Sequence, residues 1–271
     1  MGFFATSGVL NERGFFGEGF DPDALDYINR VETADGERLE PRVRTAINQF
    51  VLGCNADGIW TSLVTSCIMA GARTVAGAIT PLVGNAPTNN NFVAGDYSRT
   101  LGLLGNDSNK YLATSYNNND TTNFPQNDTH ISCYISEAKT DANGVLVGNV
   151  NTIGNLLSIF YVSATGISAR NRNTTASSLT GLTFVGFQGN TRNNSANFQR
   201  RFTYTGGMQD GNAIVTSGNP GNSLFGVFAS GINTQHTNAR MSFYSIGKSL
   251  TLSSLDSRVT TLMNTLARVI S

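Results

Sequence analysis

Apolar positions recur along this chain with two different periods, and the change of period divides it. Between residues 21 and 70 the spacing is helical. "DPDALDYINRVE" opens a helix, with Asp21 as N-cap, Pro22 at the first helical position and Asp23 complementing the positive end. A second helix starts at Pro41, where Val43, Ala46, Ile47, Phe50 and Val51 follow the i, i+3, i+4, i+7, i+8 rule, and Gly53 is expected to stop it. Trp60, Leu63, Val64, Cys67 and Ile68 repeat the stripe and predict a third helix.

After Pro81 the period becomes two. "HISCYIS", "GVLVGNV", "LLSIFYVSA", "LTFVGFQG", "FQRRFTYTGG", "SLFGVFASG" and "ARMSFYSIG" are short apolar runs separated by Asn/Gly/Ser/Thr turns, the rhythm of an antiparallel sandwich or barrel. A last helix closes the chain. Ser253 and Asp256 have capping-box spacing, and Val259, Leu262, Met263, Leu266, Val269 and Ile270 form an apolar stripe that needs a partner, most simply the N-terminal helices. The reading is therefore mainly β, with a helical base over 21–80, a β-sandwich over 81–252 and a C-terminal helix over 253–271 packed on that base. Residues 1–20 carry Phe3, Phe4, Phe15, Phe16 and Phe20 among small residues without a period, and are read as an attachment arm.

Composition narrows the function. Charged residues are 13% of the chain, against roughly 25% in an average domain, and Asn, Ser, Thr and Gly carry the polarity instead. Lys+Arg 18 against Asp+Glu 18 argues against a nucleic-acid partner, which needs clustered cations. The balance hides a split: residues 1–84 hold ten acids and six bases, residues 85–271 eight acids and twelve bases, so the halves carry −4 and +4. Cys54, Cys67 and Cys133 are odd in number and lack CxxC spacing, as expected of buried free thiols. "MGFFATSGVLNERGFF" lacks the basic and apolar regions of a secretory signal, and no run of 18 apolar residues spans a bilayer, so no membrane partner is expected. The myristoylation pattern at Gly2 has no polybasic patch behind it. The N-x-S/T triplets at Asn106, Asn119, Asn127, Asn173 and Asn193 are what an Asn- and Thr-rich chain produces by chance.

Candidate chemistry is sparse. Glycoside hydrolysis ordinarily uses two carboxyl groups flanking the bond, yet beyond residue 85 Glu137 is the lone glutamate, and Asp96, Asp107, Asp120, Asp128, Asp141, Asp210 and Asp256 are scattered. His130 and His236 are too few for a zinc site and read as core or turn residues. The segments "GNDSNK", "NNND" and "TDANG" offer hard oxygens to Ca²⁺ but lack EF-hand spacing, so no metal or cofactor is expected. What remains is a run of carboxamides that stay neutral at any ordinary pH. Tyr116, Asn117, Asn118, Asn119 and Asp120, with Arg170 and Arg172 from a second loop, are the candidate glycan-binding residues.

Residues 71–120, "GARTVAGAITPLVGNAPTNNNFVAGDYSRTLGLLGNDSNKYLATSYNNND", resemble the entry into a concanavalin-A-like, laminin-G-like jelly-roll sandwich of bacteriophage virion proteins. "NARMSFYSIGKSLTLSSLDSRVTTLMNTL", 238–266, is similar to the last strand and terminal helix of that group, and "DPDALDYINRVETADGERLEPRVRTAINQFV" to its helical lead-in. The resemblance implies a non-enzymatic structural protein on the particle surface, as a tail-fibre, tail-tip or capsid-decoration subunit. It would be assembled in the host cytoplasm with other virion proteins, as a homo-oligomer expected to be a trimer. The alternative is a lectin-like module for a host surface glycan, and a polysaccharide-degrading enzyme is the reading the carboxylates support least. The resemblance supplies no catalytic residues.

Overall fold

The computed structural model describes residues 19–138, 143–149, 155–231 and 233–270. Helix α1 (Pro22–Asp35) starts as the sequence predicts, with the Asp21 carboxylate accepting the Asp23 N–H at 2.9 Å. Helix α2 (Pro41–Ala56) runs through Gly53 rather than ending there. A Cβ at Gly53 would lie 2.7 Å from Arg258 Cδ, so this glycine serves close packing, and the left-handed Gly58 (φ 69°) follows the helix end.

The third predicted helix does not form. Residues 60–62 make one 3₁₀ turn, and Leu63–Ile68 is strand β1, paired antiparallel with Arg240–Gly247. Its spacing satisfies both periods, and the open edge of that partner strand decides between them. The segment expected as a helical base therefore contributes a strand to the sandwich, followed by the one-turn helix α3 (Val75–Ala78). Trp60, expected on a buried stripe, is half-buried and donates its indole N–H to Asp23 Oδ2 at 2.8 Å.

The remaining strands follow in chain order: β2 (Thr88–Asn90), β3 (Tyr97–Ser98), β4 (Gly102–Leu104), β5 (Tyr111–Asn117), β6 (Thr129–Glu137), β7 (Gly144–Gly148), β8 (Leu156–Ser163), β9 (Gly166–Asn173), β10 (Ser177–Thr180), β11 (Gly186–Arg192), β12 (Phe198–Tyr204), β13 (Gly207–Ala213), β14 (Leu224–Val227) and β15 (Arg240–Gly247). They form two antiparallel sheets, β13-β12-β11-β6-β15-β4-β3 with β1 also on β15, and β10-β9-β8-β7-β14-β5-β2. This is the mainly β sandwich with N- and C-terminal helices that the period change predicts. Gly102 (φ 87°) and Gly105 admit close backbone approach, since a Cβ would lie 2.1 Å from Met241 O and 2.0 Å from Thr237 O respectively.

Two cores result. Between the sheets lie Leu112, Phe124, Ile131, Cys133, Ile159, Phe202, Phe225 and Tyr244. On the outer face of the first sheet, Phe187 and Phe243 meet α1, α2 and helix α4 (Leu252–Val269), with Phe243 edge-on to Phe50 at 6.0 Å between ring centroids. α4 buries Val259, Leu262, Met263 and Leu266 as its stripe predicts. The Ser253 capping box is not made: the N-cap is Thr251 without a side-chain bond, and Asp256 turns instead to Arg201 and Thr260. Cys54, Cys67 and Cys133 are buried free thiols. Phe3, Phe4, Phe15 and Phe16 lie outside the described residues, whereas Phe20 packs on the helical core with the Arg44 guanidinium 5.9 Å from its ring centroid.

Candidate functional site

The loop singled out by its carboxamides is built inward. Tyr116 packs edge-on to Phe124 at 5.8 Å and its hydroxyl accepts the Asn85 N–H. Asn117 donates to Asn222 Oδ1 at 2.8 Å, and Asp120 accepts the N–H groups of Thr122 and Asn123 to close a turn. Asn118 is fully buried, donating to Asn155 O and Gly221 O while its own side-chain oxygen accepts from Arg172. Asn119 alone of the run is exposed.

Arg172 is also buried, left-handed at φ 58°, and donates to Asn118 O and Phe124 O. No carboxylate pairs with it among the described residues. Burial first, and then nearby Arg192, pull its guanidinium down to about 9. Arg170 stands apart, half-buried, over the Phe160 ring at 4.4 Å and donating to Thr174 O. Of the seven expected residues the fold joins Asn118 and Arg172 directly, and uses them to pin loops together. Neither can reach a ligand.

The concavity with free polar groups lies elsewhere, on the outer face of the first sheet. It is a trough of about 670 Å³ between β12, β13 and the segment entering α4. Alternation along β12 turns Phe198 and Phe202 into the sandwich and leaves Gln199 and Arg201 outside. Arg201 donates to Asp256 at 2.7 Å and to both oxygens of Asp210, at 2.9 and 2.8 Å. Burial pulls that guanidinium's pKa down, but the two carboxylates outweigh it and hold it up. Asp128 Oδ1 accepts from the Ser249 N–H and hydroxyl, and Thr191 Oγ1 accepts the Leu250 N–H, which fixes the rim. Around this ion-paired centre Gln199, Asn212, Thr251 and Ser253 are exposed and make no side-chain hydrogen bond among the described residues.

Such a surface holds uncharged hydroxyl-rich groups and has no free acid–base pair. Sequence reasoning missed it because "GMQDGNA" has no apolar alternation to mark β13, although the alternation in "FQRRFTY" already placed Gln199 and Arg201 on one face. The two histidines take the core and turn roles expected. His130 is fully buried, bonded to Lys248 O and Ser245 Oγ, and desolvation lowers its pKa to about 4. His236 sits in a turn against Asn233 Oδ1.

No family model matches this chain. No curated protein matches it in sequence. Solved structures match in part. The receptor-binding domain of a botulinum neurotoxin C/D mosaic serotype aligns at 13% identity and a TM-score of 0.46, over 74% of this chain and 51% of that one. A GH54 α-L-arabinofuranosidase mutant aligns at 10% and 0.40, over 58% and 41%. The NanB sialidase of Streptococcus pneumoniae, as a mutant, aligns at 11% and 0.36, over 48% and 24%. This chain thus spans about a quarter to a half of those structures. The fold assignment rests on the two sheets described above, and the chemistry on the residues of this chain.

Proposed function

We propose that the chain is a non-enzymatic structural subunit of a bacteriophage particle, a tail-fibre, tail-tip or capsid-decoration protein that attaches by its helical layer and turns its sandwich outward. The observation that carries this reading is the two-sided build. One sheet is covered by α1, α2 and α4, with Gly19 and Phe20 held on that layer, while among the described residues no helix covers the other sheet. Six of the eight carboxylates beyond residue 85 support a non-catalytic role: Asp96 pairs with Lys110, Glu137 with Arg240, and Asp210 and Asp256 with Arg201, while Asp120 and Asp128 hold loops. The subunit would self-associate symmetrically, as a trimer, and be assembled in the host cytoplasm. Mass spectrometry of banded particles should find the chain, and gold-labelled antibody to the sandwich loops should decorate them. Particles that lack it would overturn the reading.

A second reading is favoured by the trough: the same subunit holds a neutral host glycan between β12, β13 and the start of α4. Each amide contributes about 0.5 to 1.5 kcal/mol, so Gln199→Ala with Asn212→Ala should weaken binding on a glycan array about tenfold. Tyr116→Ala, on the other sheet, should leave glycan binding in place. Equal array signals for the double variant and the parent would remove the trough from consideration.

A further inference from the structure

Strand β13 ends the first sheet, and among the described residues nothing pairs with its outer side. The strands that end the sheet orders elsewhere are blunted by shortness: β3, β2 and β10 have two, three and four residues, against seven in β13. β13 has no proline, lysine or bulge to guard its edge. The two-residue turn Thr205–Gly206 joins it to β12, so the flanking residues Tyr204 and Gly207 exchange both main-chain bonds, and bonded pairs alternate from there. Met208, Asp210 and Asn212 therefore turn their N–H and C=O groups away from β12, and these groups meet no partner among the described residues. Apolar side chains flank that open edge: Met208 is 41% exposed, and Ile214, just past the strand, is 85% exposed.

We propose that β13 pairs antiparallel with β13 of a second copy of this chain, about a two-fold axis at Gly211, and joins the two first sheets into one. In this register Asp210 lies opposite the second copy's Asn212, and Met208 opposite the second copy's Ile214, each twice. Moving the axis to Asp210 would set that carboxylate against its own copy and Met208 against Asn212. The axis at Gly211 instead gives the carboxylate an amide donor and each apolar side chain an apolar neighbour. Asp210 keeps the freedom to accept, since its side chain is 63% exposed beside Arg201. Glycine meets glycine at the axis, where facing Cα atoms approach to about 4.5 Å. Residues directly opposite share a face, so the troughs of both copies open on the same side with the two β13 strands between them. Four main-chain bonds and two apolar pairs make a contact smaller than a standard interface, so it closes where subunits are concentrated. Being two-fold, it does not build the trimer proposed above; it ties a subunit of one trimer to a subunit of the next.

The test places Met208→Cys and Ile214→Cys together in the full chain, treats the concentrated protein with a short bismaleimide, and reads the products on a denaturing gel. The native thiols do not compete, because Cys54, Cys67 and Cys133 are buried. The double variant should give covalent dimers. Either single variant should stay monomeric, because the two copies of residue 208, or of residue 214, lie six residues apart along the joined strands, about 20 Å. A double variant that stays monomeric would overturn the proposal, and so would single variants that link as well as the double. In case the cysteines disturb the strand, hydrogen exchange followed by NMR on the unaltered chain gives an independent reading. The outward amides of Asp210 and Asn212 should exchange about threefold more slowly, or slower still, in concentrated than in dilute solution, while those of Gln209 and Gly211, already bonded to β12, stay the same. Rates of Asp210 and Asn212 that do not change with concentration would also overturn it.

Discussion

Arg172 shows what a single residue does in a chain this poor in charge. Its guanidinium is dry, and carbonyl and carboxamide oxygens answer it where a carboxylate would be usual. Removing it strands those acceptors inside the loop cluster at about 1 to 3 kcal/mol each, offset in part by the charge no longer being buried. Arg172→Ala should therefore lose about 3 kcal/mol, read as a lower denaturation midpoint at unchanged m-value. Arg170→Ala loses a ring contact and one carbonyl bond at a half-exposed site, and should cost about 1 kcal/mol or less. His130 makes a pH prediction with a definite sign. Above about pH 6.5 the ring is neutral in both folded and unfolded chains. As the pH falls the unfolded chain takes up the proton first, so stability drops from pH 6.5 toward about 4 and then levels. The loss is roughly 3 kcal/mol across that window, and His130→Gln should flatten this part of the stability–pH curve.

At the scale of elements, the seam between the first sheet and the helices decides cooperativity. Phe243 on β15 is fully buried against Phe50 of α2, so Phe243→Ala should cost about 3 to 5 kcal/mol. Near-ultraviolet circular dichroism and far-ultraviolet melting should then fall together, because sheet and helices share that ring. Trp60→Ala should cost about 1 to 2 kcal/mol, since only part of its surface leaves water. Had Leu63–Ile68 been a helix, Trp60 would have joined the core and the cost would be that of Phe243. The misreading has a physical origin: in "WTSLVTSCI" apolar residues fit a helical stripe and a two-sided buried strand equally, and only β15 breaks the tie. The strands from 129 to 163 were legible because both neighbours and both faces favour β-branched and aromatic residues there. β9, "GISARNRN", was not, because Ser168, Asn171, Arg172 and Asn173 are among its buried positions, and polar bonds hold Asn171 and Arg172 there.

For the whole molecule, the proposed function makes residues 1–18 and the helical layer the parts to test for attachment. A chain lacking residues 1–18 keeps Phe20, both cores and every described element, so its far-ultraviolet spectrum should match the parent. Its copy number in assembled particles should fall at least tenfold, measured by quantitative mass spectrometry. Full occupancy would place attachment in the helices alone.

Period and punctuation in the sequence determined the main division of this protein: helices first, sandwich after, helix last, with the α1 cap and the buried positions Val259, Leu262, Met263 and Leu266 of α4 placed correctly. Those are local properties, set by which face of a short segment is apolar and which residue can begin a turn. The tertiary structure alone decided that residues 63–68 are a strand, that Asn118 and Arg172 face inward, and that the open polar groups gather in a trough beside α4. Each of these depends on a partner distant along the chain. A carboxamide or guanidinium reads the same in sequence whether it meets water or a buried carbonyl, and only the packing of the loops tells the two apart.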